Sequence, residues 1–311
     1  MIKIISQLNF DGFESSILAQ HPAAMIRYAD KPEQLADNFQ PHCLVADPYQ
    51  TDQVAGLLAR FPSIKWIHLF AGQADDFPVA AIGQRSITCA AGATAVSIGE
   101  WTMAAMLAQA KRLPKVCINH PSGWQQTFSS NLNDSLHGQC LGLIGFGRVG
   151  VAIASRASNF GMKVKAFTRR EDITIPGVFP AKDLHQMIAD TDHLVLAQPL
   201  QTKHECLIDA NALAHAKPQL HIINVAHSSM INLDDLRQAL NNKQIASATL
   251  DALGNTPLDK NHWLYKHPMV RITPNIAWRD HGGLIRMQQV LLTNLRRFIA
   301  GDILVKQILS V

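Results

Sequence analysis

The stretch L-G-L-I-G-F-G-R-V-G, residues 141–150, decides the fold of this chain. It continues an apolar run, Cys140–Ile144, and places Gly145, Gly147 and Gly150 at the G-x-G-x-x-G spacing. In a strand–turn–helix unit, the first glycine permits a tight turn and the third permits close packing of the helix on the strand. The second lets the backbone approach a pyrophosphate with no Cβ in the way. The spacing therefore predicts one such unit here.

A helical pattern and a second strand follow the glycines. The helix is predicted over Val149–Phe160 and the strand over Lys163–Phe167. The amides at the start of that helix, aided by the helix dipole, are suited to face a phosphate group. The order of strand, turn, helix and strand therefore predicts a dinucleotide site. The alternative is a glycine-rich turn that binds no ligand.

The residues after the second strand indicate which dinucleotide is bound. An acid at this position would bind the ribose 2′-hydroxyl and mark NAD. The chain has Thr168, Arg169 and Arg170 instead. A hydroxyl and two guanidinium groups suit a 2′-phosphate, because the arginine fork matches phosphate oxygens. We therefore expect NADP(H) rather than NAD(H); the alternative is a solvated basic turn with Glu171 and Asp172 as partners.

Length and composition indicate a globular protein of two domains. The chain has 311 residues, 47% of them hydrophobic, and the charges that make up its net +4 are scattered along the sequence. The sequence has no run of Lys and Arg, so we expect no nucleic-acid binding. No apolar run reaches the roughly 18 residues that a membrane-spanning helix needs, so we expect no membrane association.

Cysteine and histidine usage bears on compartment and on metal binding. The five cysteines stand far apart with no C-x-x-C pair, which is typical of reduced thiols in a cytoplasmic protein. The 14 histidines include no H-E-x-x-H or comparable ligand spacing, so no metal site is expected. We interpret these histidines as surface and loop residues.

Short apolar strands alternate with helical patterns, which predicts parallel sheets with helices on both faces. The helix over Thr51–Phe61 is expected to have Thr51 as its N-cap. A long helix over Ile98–Leu113 leads from one domain to the next, and the helix over Leu284–Ala300 is amphipathic. The segment Asn119–His137 is polar and turn-rich, and we expect an extended loop that embraces a partner subunit.

Taken together, these residues resemble the D-isomer-specific 2-hydroxyacid dehydrogenases, and most of all the glyoxylate/hydroxypyruvate reductase subgroup. Besides the glycines, the resemblance rests on Gln198-Pro199-Leu200, Lys217-Pro218, Asn224-Val225-Ala226, Leu250-Asp251, Pro257-Leu258 and Thr273-Pro274. It implies an α/β fold of two doubly wound parallel-sheet domains. A Rossmann cofactor domain, residues 99–281, is then inserted into a flavodoxin-like substrate domain of residues 1–98 and 282–311. Family members commonly dimerise through the cofactor domain, so we expect a homodimer.

The resemblance also implies which residues contact the cofactor. Arg148 and Val149 would meet the pyrophosphate, and Asp251 would hold the nicotinamide carboxamide. The full set of implied cofactor contacts is Gly145, Gly147, Arg148, Val149, Gly150, Thr168, Arg169, Arg170, Gln198, Pro199, Ala226 and Asp251. Ala226 and Asp251 each follow a predicted strand. Gln198-Pro199 would flank the adenosine half of the cofactor. The alternative for Asp251 is a satisfied acid at a strand end.

A loop in the first domain is implied to bind the substrate, a small 2-oxo or 2-hydroxy acid. Ala71, Gly72 and Gln73 match the family loop whose amides hold the substrate carboxylate. The alternative is a plain turn after a strand.

The family reduces 2-oxo acids with three side chains that this sequence does not have. They are an arginine in an N-x-A-R-G segment, a glutamate directly before a proline, and a histidine in T-P-H. This chain has His227, Thr256 and Asn275 at those positions. His227 lacks arginine's fork, and an unperturbed imidazole is mostly neutral at pH 7. Thr256 cannot stabilise an imidazolium, and Asn275 has no transferable proton.

These substitutions leave two hypotheses about function. The first is an NAD(P)-binding family member in which hydride transfer between nicotinamide and a small 2-oxo or 2-hydroxy acid is weak, rewired or lost. Rewiring would use His227 as the proton donor, or Arg279 and His281, which otherwise form a polar helix start. The second is a non-catalytic NADP(H)-binding sensor or subunit.

Overall fold

A computed structural model of the chain shows two compact units. One comprises Met1–Thr94 with Asp280–Val311, and the other comprises Ala95–Arg279. The residues that the structure describes are 1–47, 50–71, 82–113, 116–118, 120–125, 133–198, 206–254 and 256–307.

The elements are short strands separated by helices. The strands are β1 (Lys3–Ser6), β2 (Met25–Tyr28), β3 (Cys43–Ala46), β4 (Trp66–Leu69), β5 (Ser86–Cys89), β6 (Cys140–Ile144), β7 (Lys163–Phe167), β8 (Val178–Ala181), β9 (His193–Leu196), β10 (His221–Asn224), β11 (Ser247–Leu250) and β12 (Val270–Ile272). The helices are α1 (Phe13–Gln20), α2 (Thr51–Arg60), α3 (Ala95–Ala110), α4 (Arg148–Asn159), α5 (Leu184–Asp190), α6 (Ala210–Leu213), α7 (Leu233–Asn241) and α8 (His281–Ala300).

Each unit is built on its own parallel sheet. The first sheet has the strand order β2-β1-β3-β4-β5, and the second has the order β12-β11-β10-β9-β6-β7-β8. In the second sheet the chain runs outward from β6 through β7 and β8, then returns to β9 on the other side of β6. Ligands of doubly wound sheets bind outside the carboxyl ends of the strands at such a switch point. The predicted fold class, with two doubly wound parallel sheets, is confirmed.

Burial explains why these segments form parallel sheets. Strands β3, β4, β9, β10 and β11 are buried along their whole length. Such strands suit the centre of a sheet that helices cover on both faces. In the second unit one core cluster includes Met106, Leu143 and Ile153, and the other includes Leu194 and Ile222.

Two local interpretations are wrong. Gln50, not Thr51, is the N-cap of α2, and it makes no side-chain cap hydrogen bond. Histidines are not confined to surface and loops, because His68, His193 and His221 are buried within strands. The outer strands β2 and β8 were also not predicted from the sequence pattern.

Several further observations concern the residues that the structure describes. None of their helices is long and apolar enough to cross a membrane. Nowhere among them do three His, Cys, Asp or Glu side chains come together as a metal site. All five cysteines are thiols rather than members of disulfides; Cys43 and Cys89 are buried, and Cys117 and Cys206 are exposed.

Candidate functional site

The candidate cofactor residues lie along one edge of the seven-stranded sheet. Parallel strands end at the same edge, so the residues that follow them line it together. Gly145 follows β6, Thr168 follows β7, Gln198 follows β9, His227 follows β10 and Asp251 follows β11. The sheet topology therefore gathers positions that are up to about a hundred residues apart in the chain.

The three motif glycines differ in what a side chain would meet. Gly145 has φ of +96°, and a Cβ on it would lie 2.6 Å from Cα of Gln198. A Cβ on Gly150 would collide with the carbonyl oxygen of Gly145. Among the described residues, a Cβ on Gly147 would meet nothing within 4 Å. The fold itself therefore requires glycine at two positions, whereas the third leaves the space beside the turn clear.

The N-terminus of α4 adjoins this turn. Its N-cap is Gly147, which offers no side-chain cap, and its first turn holds no acidic residue. Amide groups in the first turn of a helix have no intrahelical acceptor and lie at the positive end of the helix dipole. Such an end suits an anionic group, and a dinucleotide pyrophosphate is one.

The turn after β7 is basic and locally braced. Arg170 donates its amide hydrogen to Thr168 Oγ1 at 3.1 Å. Arg169 and Arg170 are exposed, and neither takes part in the ion pairs formed among the described residues. Glu171 instead approaches Lys182 Nζ at 3.9 Å. The turn thus presents two cations at the position that follows the second strand of the dinucleotide motif.

The buried side chain of Asn224 braces the loop after β10. Its Oδ1 accepts from the Ala226 amide at 3.0 Å, and its Nδ2 donates to the His227 carbonyl at 2.8 Å. The Ser229 amide donates to His227 Nδ1 at 3.2 Å, and Ser229 Oγ lies 2.9 Å from the same nitrogen. Because a backbone amide can only donate, Nδ1 is the accepting nitrogen of the ring, and Nε2 is the nitrogen that carries a hydrogen.

Asp251 is a buried carboxylate that holds the chain after β12. It accepts from Thr273 Oγ1 at 2.5 Å, from the Ile276 amide at 2.8 Å and from the Ala277 amide at 2.9 Å. Its backbone carbonyl accepts from the Asn275 amide at 3.0 Å. These bonds are those of a satisfied structural acid, and the role of Asp251 toward the nicotinamide stays a prediction.

The three substituted positions lie at the tips of these loops. Thr256 and Asn275 are exposed, and His227 is half-buried. Asn275 has φ of +53°, in the left-handed region that asparagine tolerates better than most residues. The bases of the loops after β10 and β12 are held by Asn224 and Asp251, and the His227 side chain adds one further bond, from the Ser229 amide.

The remaining candidates are more scattered. Gly72, Gln73 and Pro199 lie outside the described residues. Ala71 follows β4 in the first unit, and its carbonyl accepts from the Ala90 amide at 2.8 Å. Its contact with a substrate stays a prediction.

Arg279 and His281 flank the N-cap of α8. Asp280 is that N-cap, and its carboxylate accepts from the Gly283 amide and lies 3.6 Å from Arg286 Nη2. His281 is the first residue of the helix, and both Arg279 and His281 are exposed. This arrangement agrees with a polar helix start.

Comparison with known proteins agrees with the predicted relationship. Residues 103–277 match the family model described as D-isomer specific 2-hydroxyacid dehydrogenase, NAD binding domain. Glyoxylate/hydroxypyruvate reductase B of Pectobacterium carotovorum subsp. carotovorum (strain PC1) is 29% identical over 236 residues, which cover 74% of each chain. Glyoxylate reductase of Thermofilum pendens (strain DSM 2475 / Hrk 5) is 27% identical over 268 residues, 84% of this chain and 78% of that protein.

A solved structure extends the likeness to nearly the whole chain. It is a D-isomer specific 2-hydroxyacid dehydrogenase family protein from Aeromonas salmonicida subsp. salmonicida A449, 26% identical in sequence. The match has a TM-score of 0.81 and covers 99% of this chain and 98% of that one.

Proposed function

We propose a function from one premise: this chain belongs to the D-isomer specific 2-hydroxyacid dehydrogenase family. It binds a nicotinamide dinucleotide at the carboxyl edge of the seven-stranded sheet, with the pyrophosphate beside Gly147 and the amides of Arg148 and Val149. The observation that carries this proposal is steric: Gly145 and Gly150 have no room for a side chain, whereas Gly147 is open. The residues present therefore fit the cofactor that the family uses.

The preferred dinucleotide is NADP(H). Arg169 and Arg170 stand exposed after β7, at the place where an NAD-binding chain carries an acid. Thr168 Oγ1 is engaged by the Arg170 amide, which fixes the turn. Two guanidinium forks at this point match the oxygens of a 2′-phosphate and would leave an NAD ribose without its acidic partner.

Hydride transfer to a small 2-oxo acid is weak or lost. Reduction needs a proton for the carbonyl oxygen and a cation for the substrate carboxylate. His227 could give a proton to the carbonyl oxygen only with hydrogens on both ring nitrogens, and a hydrogen on Nδ1 would oppose the Ser229 amide. Asn275 has no proton to give, and Thr256 carries no charge. Loss of acid–base help lowers rates by roughly 10²–10⁴, and loss of a charge-stabilising donor costs about 3 kcal/mol more.

A second candidate function is a rewired reductase of glyoxylate, hydroxypyruvate or a related acid, the substrates that the names of the relatives give. It is favoured by the half-buried ring of His227, which keeps its hydrogen on Nε2 and can donate a hydrogen bond to a ketone. If hydride transfer is lost altogether, the first proposal becomes that of a non-catalytic NADP(H)-binding sensor or subunit.

Calorimetric titration tests the cofactor. NADPH is expected to bind at least about tenfold tighter than NADH, because each charge-assisted contact to the 2′-phosphate contributes about 1.5 kcal/mol or more. The double change Arg169→Ala, Arg170→Ala should abolish this preference. The exposed Arg237→Ala in the same unit is the matched control and should keep it. Equal or tighter binding of NADH by the unchanged protein would contradict the proposal.

Restoration of the family side chains tests the chemistry. NADPH consumption with glyoxylate and hydroxypyruvate is compared between the natural chain and the triple change His227→Arg, Thr256→Glu, Asn275→His. We expect the triple change to raise the rate by at least about 10²-fold. The third replacement would be tolerated, because histidine, like asparagine, enters the left-handed region. A folded, NADPH-binding triple variant with no gain would overturn the proposal.

The assembled state is proposed to be a cytoplasmic homodimer formed through the unit of residues 95–279. Five cysteines that form no disulfide suit a reducing compartment. Trp124, on the segment expected to embrace a partner, is 70% exposed, whereas tryptophan is highly buried on average. Size-exclusion chromatography with light scattering should give twice the 34.2 kDa chain mass. A clean monomer at micromolar concentration would refute the dimer.

A further inference from the structure

A polar cavity lies at the amino-terminal edge of the seven-stranded sheet, the edge opposite to the candidate cofactor site. Its volume is about 710 Å³, within the range of small-molecule sites. The first residues of β9, β10 and β11 line it, together with Gln139 and the end of α3. All of its lining residues belong to the unit of residues 95–279.

The floor of this cavity is a chain of hydrogen bonds that runs across β9, β10 and β11 and ends on Gln139, the residue before β6. His193 and His221 are paired in register on β9 and β10, with their Nδ1 atoms 3.1 Å apart. His193 Nε2 donates to Gln139 Oε1 at 2.9 Å, so its Nδ1 accepts from His221. His221 Nε2 then accepts from Thr249 Oγ1 at 2.8 Å. Both rings are therefore neutral, and all four of their nitrogens take part in hydrogen bonds, to each other, to Gln139 and to Thr249.

Two arginines beside this floor lack a counterion within the part of the chain that the structure describes. Arg271, on β12, is in register with Thr249, and burial lowers the pKa of its guanidinium. Arg112 lines the same cavity. Neither takes part in an ion pair among the described residues. A half-buried guanidinium without a carboxylate is unfavourable unless an anion accompanies it.

The acids of the cavity do not serve these arginines. The Asp192 carboxylate forms an ion pair with Lys217 Nζ at 2.9 Å and accepts a hydrogen bond from the Cys140 amide at 2.8 Å. Asp134 lines the cavity but is exposed to solvent, and it takes no part in the ion pairs among the described residues. The charge left inside is therefore that of Arg271.

An unpartnered hydroxyl points to the same conclusion. Ser247, the first residue of β11, is only 3% exposed and lines the cavity. Its Oγ has no hydrogen-bond partner among the residues that the structure describes. A buried hydroxyl in this state costs free energy that a ligand oxygen would recover.

We propose that this cavity binds a small molecule bearing a carboxylate or phosphate group. The guanidinium of Arg271 forks onto the oxyanion, Arg112 supplies a second cation, and Ser247 Oγ donates a hydrogen bond to it. The neutral histidine pair forms an uncharged floor that does not compete for the anion.

Calorimetry with three probes, citrate, succinate and inorganic phosphate, tests the site and separates carboxylate from phosphate ligands. We expect at least one probe to bind the full-length protein and to raise its melting temperature in a concentration-dependent way. Arg271→Gln should weaken that binding by about tenfold or more, and Ser247→Ala by a few-fold. Arg237→Gln removes an exposed arginine of the same unit and should leave binding unchanged. His227→Ala should also leave it unchanged, which excludes the loop after β10 as the place of binding.

The ligand-free variants provide a second readout. Arg271→Gln should melt at the same temperature as the natural protein or higher without added anion, because it removes an unpaired half-buried charge. The proposal is overturned if none of the probes binds at about 10 mM, a concentration that detects even millimolar affinity. It is also overturned if folded Arg271→Gln and Ser247→Ala proteins bind the probes as the natural protein does.

Discussion

The glycine turn after β6 and the loops after β10, β11 and β12 share one sheet edge, yet they are constrained in different ways. In the turn, the backbone leaves no room for side chains at Gly145 and Gly150. In the loops, side-chain hydrogen bonds from Asn224 and Asp251 fix the bases. The tips that carry the substituted positions are half-buried or exposed.

Because of this difference, substitutions in the turn should affect mainly the free energy of folding, and substitutions in the loops should affect mainly the chemistry of the site. A substitution in the turn would strain the first strand–helix unit, so the cofactor cradle is tied to the fold. A substitution at a loop tip leaves the hydrogen bonds of the Asn224 and Asp251 side chains intact, so the reacting groups can change while the fold does not. The proposed function therefore joins a dinucleotide-binding turn to a site that lacks the family's proton donor.

The largest loss of stability is expected from Gly150→Ala. Its Cβ would meet the Gly145 carbonyl, so α4 must move away from β6. We expect the free energy of unfolding to drop by about 2–3 kcal/mol. Gly147→Ala, in open space, is the matched control and should change stability by less than about 1 kcal/mol while it weakens NADPH binding. Urea denaturation and calorimetry measure both quantities, and equal losses of stability would break the comparison.

A similar loss is expected from Asp251→Asn. The amide has one acceptor oxygen, so at least one of the amide groups of Ile276 and Ala277 loses its buried acceptor. Unfolding free energy should fall by about 2 kcal/mol. Thr256→Ala, on an exposed tip, should cost no more than about 0.5 kcal/mol. If both changes are equally harmless in urea denaturation, the loop bases are not what orders this edge.

Acid should weaken the fold through the buried histidines. Burial lowers the pKa of His193 to about 4, although Asp192 and Asp134 oppose the shift, and it lowers the pKa of His221 well below its ordinary value. Histidine in the unfolded chain titrates near ~6.5. Stability is therefore complete above about pH 6.5 and is lost as the pH falls toward 4, because the unfolded chain then binds more protons.

For His193 alone, we expect the free energy of unfolding to fall by about 2 kcal/mol between pH 7 and pH 5. His193→Gln should flatten this dependence, whereas His281→Gln, at an exposed helix start, should not. Urea denaturation at the two pH values measures the slope. An identical slope in both variants would show that the buried pair is not the source of acid sensitivity.

A smaller loss of stability than from Gly150→Ala or Asp251→Asn is expected from His227→Ala. It removes the acceptor of the Ser229 amide at a half-buried loop, which costs about 1 kcal/mol or less. The affinity for NADPH should stay within about twofold, because the pyrophosphate contacts lie after β6. A large loss of affinity in calorimetry would mean that the tip residue supports the cradle after all.

The sequence was informative where one short stretch carries the constraint. The spacing of Gly145 and Gly150 predicts the turn after β6 and the close packing of α4 on it, because both are set within one strand–turn–helix unit. Edge strands β2 and β8 were missed, since each has one open side and a weak apolar pattern; β8 also contains Pro180. Such strands are recognised only through the neighbour with which they pair.

The histidine pair could not be predicted for a different reason. His193 and His221 meet only because β9 and β10 are adjacent and in register, and the sequence of neither strand alone determines that register. The available signal was a histidine at the start of two otherwise apolar strand patterns. The hydrogen bonds of Asp251 could likewise not be predicted from the sequence, because they depend on how the chain after β12 turns back toward β11.

The central claim is tested most directly by a single-turnover experiment with NADPH deuterated at nicotinamide C4, in each diastereomer, with protein in excess over cofactor and with glyoxylate present. Mass spectrometry then counts deuterated glycolate while calorimetry reports binding. The account predicts that NADPH is bound and that deuterated glycolate forms no faster than about 10⁻³ s⁻¹, because a typical rate of about 10 s⁻¹ is reduced at least about 10⁴-fold by the two losses. Deuterated glycolate formed at about 1 s⁻¹ or faster, the rate of an ordinary enzyme, would contradict it.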